Sequence, residues 1–224
     1  GNVIGYNIAN IILILGIGAL IRPLTIERGI IRRELLIMIG ATALLFLVPL
    51  FEFTGVPSWV AGVIFLICFA AYIFYFLRSA LKERKPSPTG QLGKTQKYIL
   101  FIIGGILGVI FGAWLLVESS VSIARFLGIP ELIIALTMVA VGTSLPELVV
   151  SSLAAYRKQS QIAIGNIIGS NIFNILLILG IALLFIPMNA TMSLVYLFFL
   201  LAVSLLMVPL MYIGGKLSRL NGVF

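Results

Sequence analysis

Seven stretches of roughly 20 predominantly apolar residues, the length an α-helix needs to cross the hydrocarbon core of a bilayer, follow one another at 1–21, 35–51, 58–77, 98–123, 131–155, 162–186 and 192–213. In lipid a helix satisfies its own backbone hydrogen bonds, so these runs predict an all-α polytopic membrane protein with about seven transmembrane helices. Of the 224 residues, 61% are hydrophobic and 10% charged, a balance that excludes a soluble enzyme, a nucleic-acid binder and a disordered chain. There is no histidine, and the one cysteine, Cys68, lies inside an apolar run. His-ligated zinc or haem, a His-based triad, an intramolecular disulfide and Cys-cluster metal sites are excluded with them. No enzyme activity and no cofactor are expected. No signal peptide is visible, and the opening Gly-Asn-Val reads as a processed product or a fragment.

The net charge of +8 is distributed in a way that reports sidedness. Assigning the connections alternately to the two faces puts Arg22, Arg28, Arg32, Arg33, Arg78, Lys82, Arg84, Lys85, Lys94, Lys97, Arg157, Lys158, Lys216 and Arg219 on one side and only Arg125 on the other. Basic residues accumulate on the cytoplasmic face, so the start of the chain is expected outside and the end inside. The long connection 78–97 contains Lys82-Glu83-Arg84-Lys85-Pro86-Ser87-Pro88 and reads as a solvated cytoplasmic linker. It divides the chain into 1–79 (three helices), the linker 80–97, and 98–224 (four helices). Trp59 and Trp114, near helix ends, suit interfacial anchoring or packing.

An internal repeat constrains the fold further. Gly1–Pro23 and Gly165–Pro187 align with 15 identities in 23 positions. Leu and Ile would coincide by abundance alone, but Gly5/Gly169, Asn7/Asn171, Asn10/Asn174 and Pro23/Pro187 would not. The copies open the first and sixth helices, so they run in opposite directions through the membrane. Inverted repeats of this kind build secondary transporters, with substrate bound near the midplane where the repeats meet.

The polar residues inside the apolar runs locate a candidate site. Gly142-Thr143-Ser144-Leu145-Pro146-Glu147 places a carboxylate within a membrane helix, at a cost of about 2.5–3.5 kcal/mol at the helix centre, which requires compensation. Pro146 removes a backbone donor and frees a carbonyl near residue 142. Carbonyls, the Thr143 and Ser144 hydroxyls and Glu147 form an all-oxygen donor set suited to hard cations such as Ca²⁺ and Na⁺. Ser170 and Asn174, four apart, share a helix face, and Tyr6 and Asn10 hold the equivalent positions in the first copy. Singly, Ser, Thr and Asn also join helices by hydrogen bonds, and the pairs Gly1/Gly5 and Gly165/Gly169 also allow close packing. Glu118 is either a second intramembrane carboxylate or solvated near a helix end, Glu52 sits at a helix end, and Glu131 suits the first turn of its helix. Gly104, Gly108 and Gly112 form a small-residue stripe that permits close helix contact.

GTSLPEL at 142–148 and GNIIGSNIFNILLILGI at 165–181 resemble the second signature repeat of the sodium/calcium exchangers, within the cation/Ca²⁺ antiporter superfamily. GNVIGYNIANIILILGIGALIRP at 1–23 resembles the latter part of the first repeat. The resemblance covers nearly the whole chain and implies a prokaryotic-type exchanger in the inner or plasma membrane, with Na⁺, Ca²⁺ and the lipid bilayer as partners. It implies exchange of the two ions by alternating access, with gating helices sliding across a core of signature repeats. Carried onto this chain, the ion-site positions are Ala140 through its carbonyl, Thr143, Ser144, Glu147, Ser170, Asn174 and Asn10. Against the family's ten-helix plan, the first two helices with their GTSLPE-like segment and the last helix are missing. The parent polypeptide or a partner chain is expected to supply them. Tyr6 stands where Ser is usual, and Asn174 where several prokaryotic relatives have Asp. The nearest alternatives are a proton- or K⁺-coupled cation exchanger and a non-transporting fragment or subunit.

Overall fold

The computed structural model of the chain describes residues 2–25, 30–82, 92–185, 194–213 and 216–218, with the side chains of residues 2, 30–32, 92–96, 131–143 and 211–216 outside the description. All seven expected helical regions are present. The first is α1 (Asn2–Ala9), a π-helical turn (Asn10–Ile14) and α2 (Leu15–Ile21) in succession; β1 (Leu24–Thr25) follows. After it come α3 (Ile30–Leu44), α4 (Leu47–Thr54), α5 (Ser58–Lys82), α6 (Leu92–Phe126) and α7 (Glu131–Tyr156). Next are α8 (Ser160–Phe173), a second π-helical turn (Asn174–Leu179), α9 (Gly180–Phe185), α10 (Leu194–Ile213) and β2 (Lys216–Leu217).

The run expected at 35–51 is interrupted at Leu45 and Phe46. Pro49 has no N–H to offer the Leu45 carbonyl, and its ring crowds that oxygen. The chain tightens there instead, with Leu45 N–H donating to Thr42 O (3.2 Å), Phe46 N–H to Ala43 O (3.1 Å) and Val48 N–H to Leu45 O (3.1 Å). Pro49 then sits in the first turn of α4, where a missing N–H costs nothing. Pro146, by contrast, lies within α7, which continues through it to Tyr156.

The chain divides into two compact units, Gly1–Ile73 with Glu147–Phe224, and Phe74–Pro146. The first unit contains both copies of the repeat. Its core is built on Ile14, Leu35, Met38, Phe65, Ile164, Ile168, Ile172 and Ile175, all buried, with α8 and α10 packed on α3 and α1 against α10. Ring pairs add Phe46 to Phe198 at 5.0 Å and Phe69 to Phe173 at 5.6 Å. Gly62 brings α5 so close to the second repeat that a Cβ there would lie 2.8 Å from the Gly180 carbonyl oxygen. β1 and β2 form an antiparallel pair, Leu24 opposite Leu217 and Thr25 opposite Lys216, which the apolar pattern does not announce. α4 ends in a reverse turn at Gly55 (φ 72°), with Val56 N–H donating to Phe51 O at 2.8 Å. The turn after α7 is closed in the same way, by Gln159 N–H to Ala154 O at 2.8 Å, but its left-handed residue is Lys158 (φ 67°).

In the second unit, α6 is 35 residues long, about 52 Å at 1.5 Å per residue. It continues well past the roughly 30 Å of a bilayer's hydrocarbon core. None of its apolar window is buried, and Phe111 stacks on Trp114 at 5.9 Å. Among the described residues, a Cβ added at Gly104, Gly108 or Gly112 would meet nothing within 4 Å. Among the described residues, five helices are long and apolar enough to cross a membrane, Val3–Ile21, Arg33–Thr54, Ser58–Lys82, Lys97–Phe126 and Ser160–Phe185. Apolar side chains turned outward along such helices are the surface a bilayer-facing protein presents.

A candidate ion site in the second repeat

Within the first unit, a cleft of about 340 Å³ is lined by Glu147, Gly165, Asn166, Gly169, Ser170, Phe173 and Asn174. It brings together three of the residues singled out from sequence, the carboxylate of α7, the hydroxyl of Ser170 and the amide of Asn174. Gly165 and Gly169, on the same face of α8, leave room beside them. Glu147 is half-buried, and its Oε2 has no hydrogen-bond partner among the described residues. A carboxylate oxygen withdrawn from solvent and left unpaired is the most available cation ligand in the cleft.

Asn166 ties the two walls. Its Nδ2–H donates to the Glu147 carbonyl at 3.4 Å and to Ser151 Oγ at 3.0 Å, and Ser151 Oγ–H donates to Ala163 O at 3.4 Å. The α7 backbone at Glu147 is thereby held on α8. Asn166 was not singled out from sequence; the available signal was the Gly-Asn pair at 165–166 repeated at 1–2.

Behind the cleft the repeats meet through four asparagines. Asn10 Nδ2–H donates to Asn171 Oδ1 at 3.0 Å, and Asn174 Nδ2–H donates to Asn7 Oδ1 at 3.2 Å. Since 7 aligns with 171 and 10 with 174, the two bonds are the same interaction related by the exchange of repeats. Asn171 Nδ2 also donates to Asn7 O at 3.3 Å and contacts Met38 Sδ at 3.7 Å. Asn7, Asn10 and Asn171 are 0%, 2% and 1% exposed, so these amides are core groups. The Asn10 Oδ1 and Asn7 Nδ2 atoms remain without partners among the described residues. Both π-helical turns start at equivalent residues, Asn10 and Asn174. A π turn inserts one residue into the α pattern and displaces the following side chains around the axis, a distortion concentrated at functional sites.

Ser144 is buried, its hydroxyl without a partner among the described residues, and it stands on the part of α7 that belongs to the other unit. Ala140 and Thr143 lie on α7, with their side chains outside the described residues, as is that of Glu131. Tyr6 is half-buried and is not among the residues that line the cleft. Glu118 is exposed on α6, and Glu52 is exposed on α4. Trp59 and Trp114 are both exposed.

The family described as sodium/calcium exchanger protein matches residues 1–78 and 97–224. Among similar proteins, the sodium/calcium exchanger MaX1 of Methanosarcina acetivorans is 34% identical, over 100% of this chain and 75% of its own length. The putative antiporter CaxA of Alkalimonas amylolytica is 33% identical, over 100% of this chain and 72% of its own length. The sodium-calcium exchanger NCX_Mj, in a crystal soaked with zero Na⁺ and Ca²⁺, matches with a TM-score of 0.80 at 35% identity, over 100% of this chain and 71% of that one.

Proposed function

This chain belongs to the sodium/calcium exchanger family, and we propose that it exchanges Na⁺ for Ca²⁺ across the membrane at the cleft formed by Glu147, Ser170 and Asn174. It is an integral, multi-pass membrane protein and an antiporter, and the ions are its cargo. The observation that carries the site assignment is the half-buried Glu147, whose Oε2 has no partner among the described residues, lining one cleft with Ser170 and Asn174. Such a site is costly to leave charged and empty in a low-dielectric surrounding. It is relieved by either hard cation, and Na⁺ and Ca²⁺ competing for the same oxygens cannot occupy it together. Mutually exclusive binding of this kind, presented to the two faces in turn, produces antiport.

The remaining ligands of the proposed set are Asn10, from the first repeat, and Ala140, Thr143 and Ser144. These three lie one and two helical turns ahead of Glu147 on α7 and would add a carbonyl and two hydroxyls. The proposed domain plan is a first repeat at 1–79, a linker at 80–97 and a second repeat at 98–224. The 14 basic residues assigned to the linker's face support a cytoplasmic position for it. The test is ⁴⁵Ca²⁺ uptake into proteoliposomes under an outward Na⁺ gradient. Uptake that collapses with a Na⁺ ionophore supports exchange, whereas uptake indifferent to the gradient overturns it.

A further inference from the structure

We infer that Asn7 and Asn171 are positioning residues that fix which end of the Asn174 and Asn10 amides is offered to the ion. The inference rests on the reading of Asn10 and Asn174 as ligands. An asparagine side chain has an oxygen at one terminus and a donor NH₂ at the other, and a half-turn exchanges a cation ligand for a group that repels cations. Nothing within a ligand asparagine selects the productive orientation; its partners do. Here the partner of each candidate ligand is the asparagine at the other repeat position. Asn7 Oδ1 accepts from Asn174 Nδ2–H, and Asn171 Oδ1 accepts from Asn10 Nδ2–H. Each bond engages the nitrogen of the ligand and leaves its oxygen for another partner. The Asn10 Oδ1 is buried and has no protein partner among the described residues.

The orienting residues differ in how firmly they are held. Asn171 uses its Nδ2 on Asn7 O and Met38 Sδ, and Met38 is itself steadied by Thr42, whose Oγ1–H donates to Met38 O at 2.9 Å. Its oxygen is therefore locked toward Asn10. Asn7 Nδ2 has no partner among the described residues, so Asn7 can turn over and donate instead. An aspartate at 174 has two oxygens and no donor, so it presents an oxygen in either orientation and needs no orienting acceptor.

This logic separates positioning from mere packing. The test measures the Na⁺ dependence of ⁴⁵Ca²⁺ uptake by the whole protein for Asn7→Leu in two backgrounds, the natural Asn174 and Asn174→Asp. Size-exclusion profiles verify the amount of folded protein. Loss of one orienting hydrogen bond to a buried amide is expected to raise the half-saturating Na⁺ concentration at least about tenfold in the Asn174 background. The maximal rate should change less. In the Asn174→Asp background, where either orientation presents an oxygen, the shift should stay below about threefold. Equal shifts in the two backgrounds, or none in the first, would overturn the inference. If Asn7→Leu does not accumulate, Asn7→Ala in the same pair of backgrounds gives the same comparison. Asn174→Leu alone serves as the separate check on the ligand reading: a wild-type Na⁺ dependence there removes Asn174 from the site, whereas a shift there without one in Asn7→Leu removes only the positioning role.

Discussion

Asn10 and Asn171, 161 residues apart in the chain, are joined by a 3.0 Å hydrogen bond, and the bond from Asn174 to Asn7 repeats it with the repeats exchanged. The internal duplication is thus expressed as a reciprocal polar lock in the core of one compact unit. In membrane proteins such bonds average about 0.6 kcal/mol and reach about 1.7. A double-mutant cycle on Asn10→Ala and Asn171→Ala is expected to return a coupling energy in that range, read by unfolding in mixed detergent. Additive effects would mean that the bond contributes nothing to stability.

Gly62 presents a harder constraint. A methyl group there would sit 2.8 Å from the Gly180 carbonyl oxygen, 3.1 Å from Leu183 Cβ and 3.1 Å from Leu184 Cδ2. The backbone oxygen cannot yield without moving the helix that carries it. Gly62→Ala is expected to cost about 1–3 kcal/mol, seen as a lower melting temperature in detergent, with Gly104→Ala near neutral because no described residue approaches it within 4 Å.

Lys158 holds a left-handed conformation (φ 67°) that glycine adopts without strain and a residue with a Cβ adopts at a cost of about 1–2 kcal/mol. Lys158→Gly is therefore expected to stabilise the protein by about 1 kcal/mol, after the lost chain stiffness of the unfolded state is deducted. The same thermal measurement checks it, and a lower melting temperature would show that the lysine side chain contributes more than its backbone strain costs.

A cysteine introduced at Ser87, in a Cys68→Ala background, is expected to react with a membrane-impermeant thiol reagent only from the cytoplasmic face. Labelling in intact cells would reverse the sidedness drawn from the basic residues.

Much of this organisation is legible in the sequence because membrane helices must be long and apolar, and because the two repeats retain their Gly, Asn and Pro positions. Glu147, Ser170 and Asn174 stand out as polar residues within apolar runs, and they do share a cleft. The break at Leu45–Phe46 was also written in the chain, in Pro49, but an apolar run does not show where backbone donors fail. The π turns at Asn10 and Asn174 are invisible to side-chain periodicity because they are set by backbone pairing under tertiary packing. Which asparagine bonds to which, and that Asn166 bonds to the Glu147 backbone, depends on contacts between residues far apart in the chain or in successive helices. Helix limits were short for a related reason. α5 runs on to Lys82 and α6 begins at Leu92, since charged and polar residues end the apolar run but sustain a helix in water.

The central claim is that the Glu147 carboxylate binds the transported cations, and the most direct measurement is Na⁺-driven ⁴⁵Ca²⁺ uptake by Glu147→Gln in proteoliposomes at matched amounts of folded protein. Gln keeps the shape and one oxygen but removes the charge that compensates a buried cation. The loss of a partner for a desolvated charge is worth about 3–5 kcal/mol, so uptake is expected to fall by at least about 100-fold while the elution profile stays that of the unmutated protein. Uptake at the unmutated rate, with unmutated Na⁺ dependence, would contradict the account.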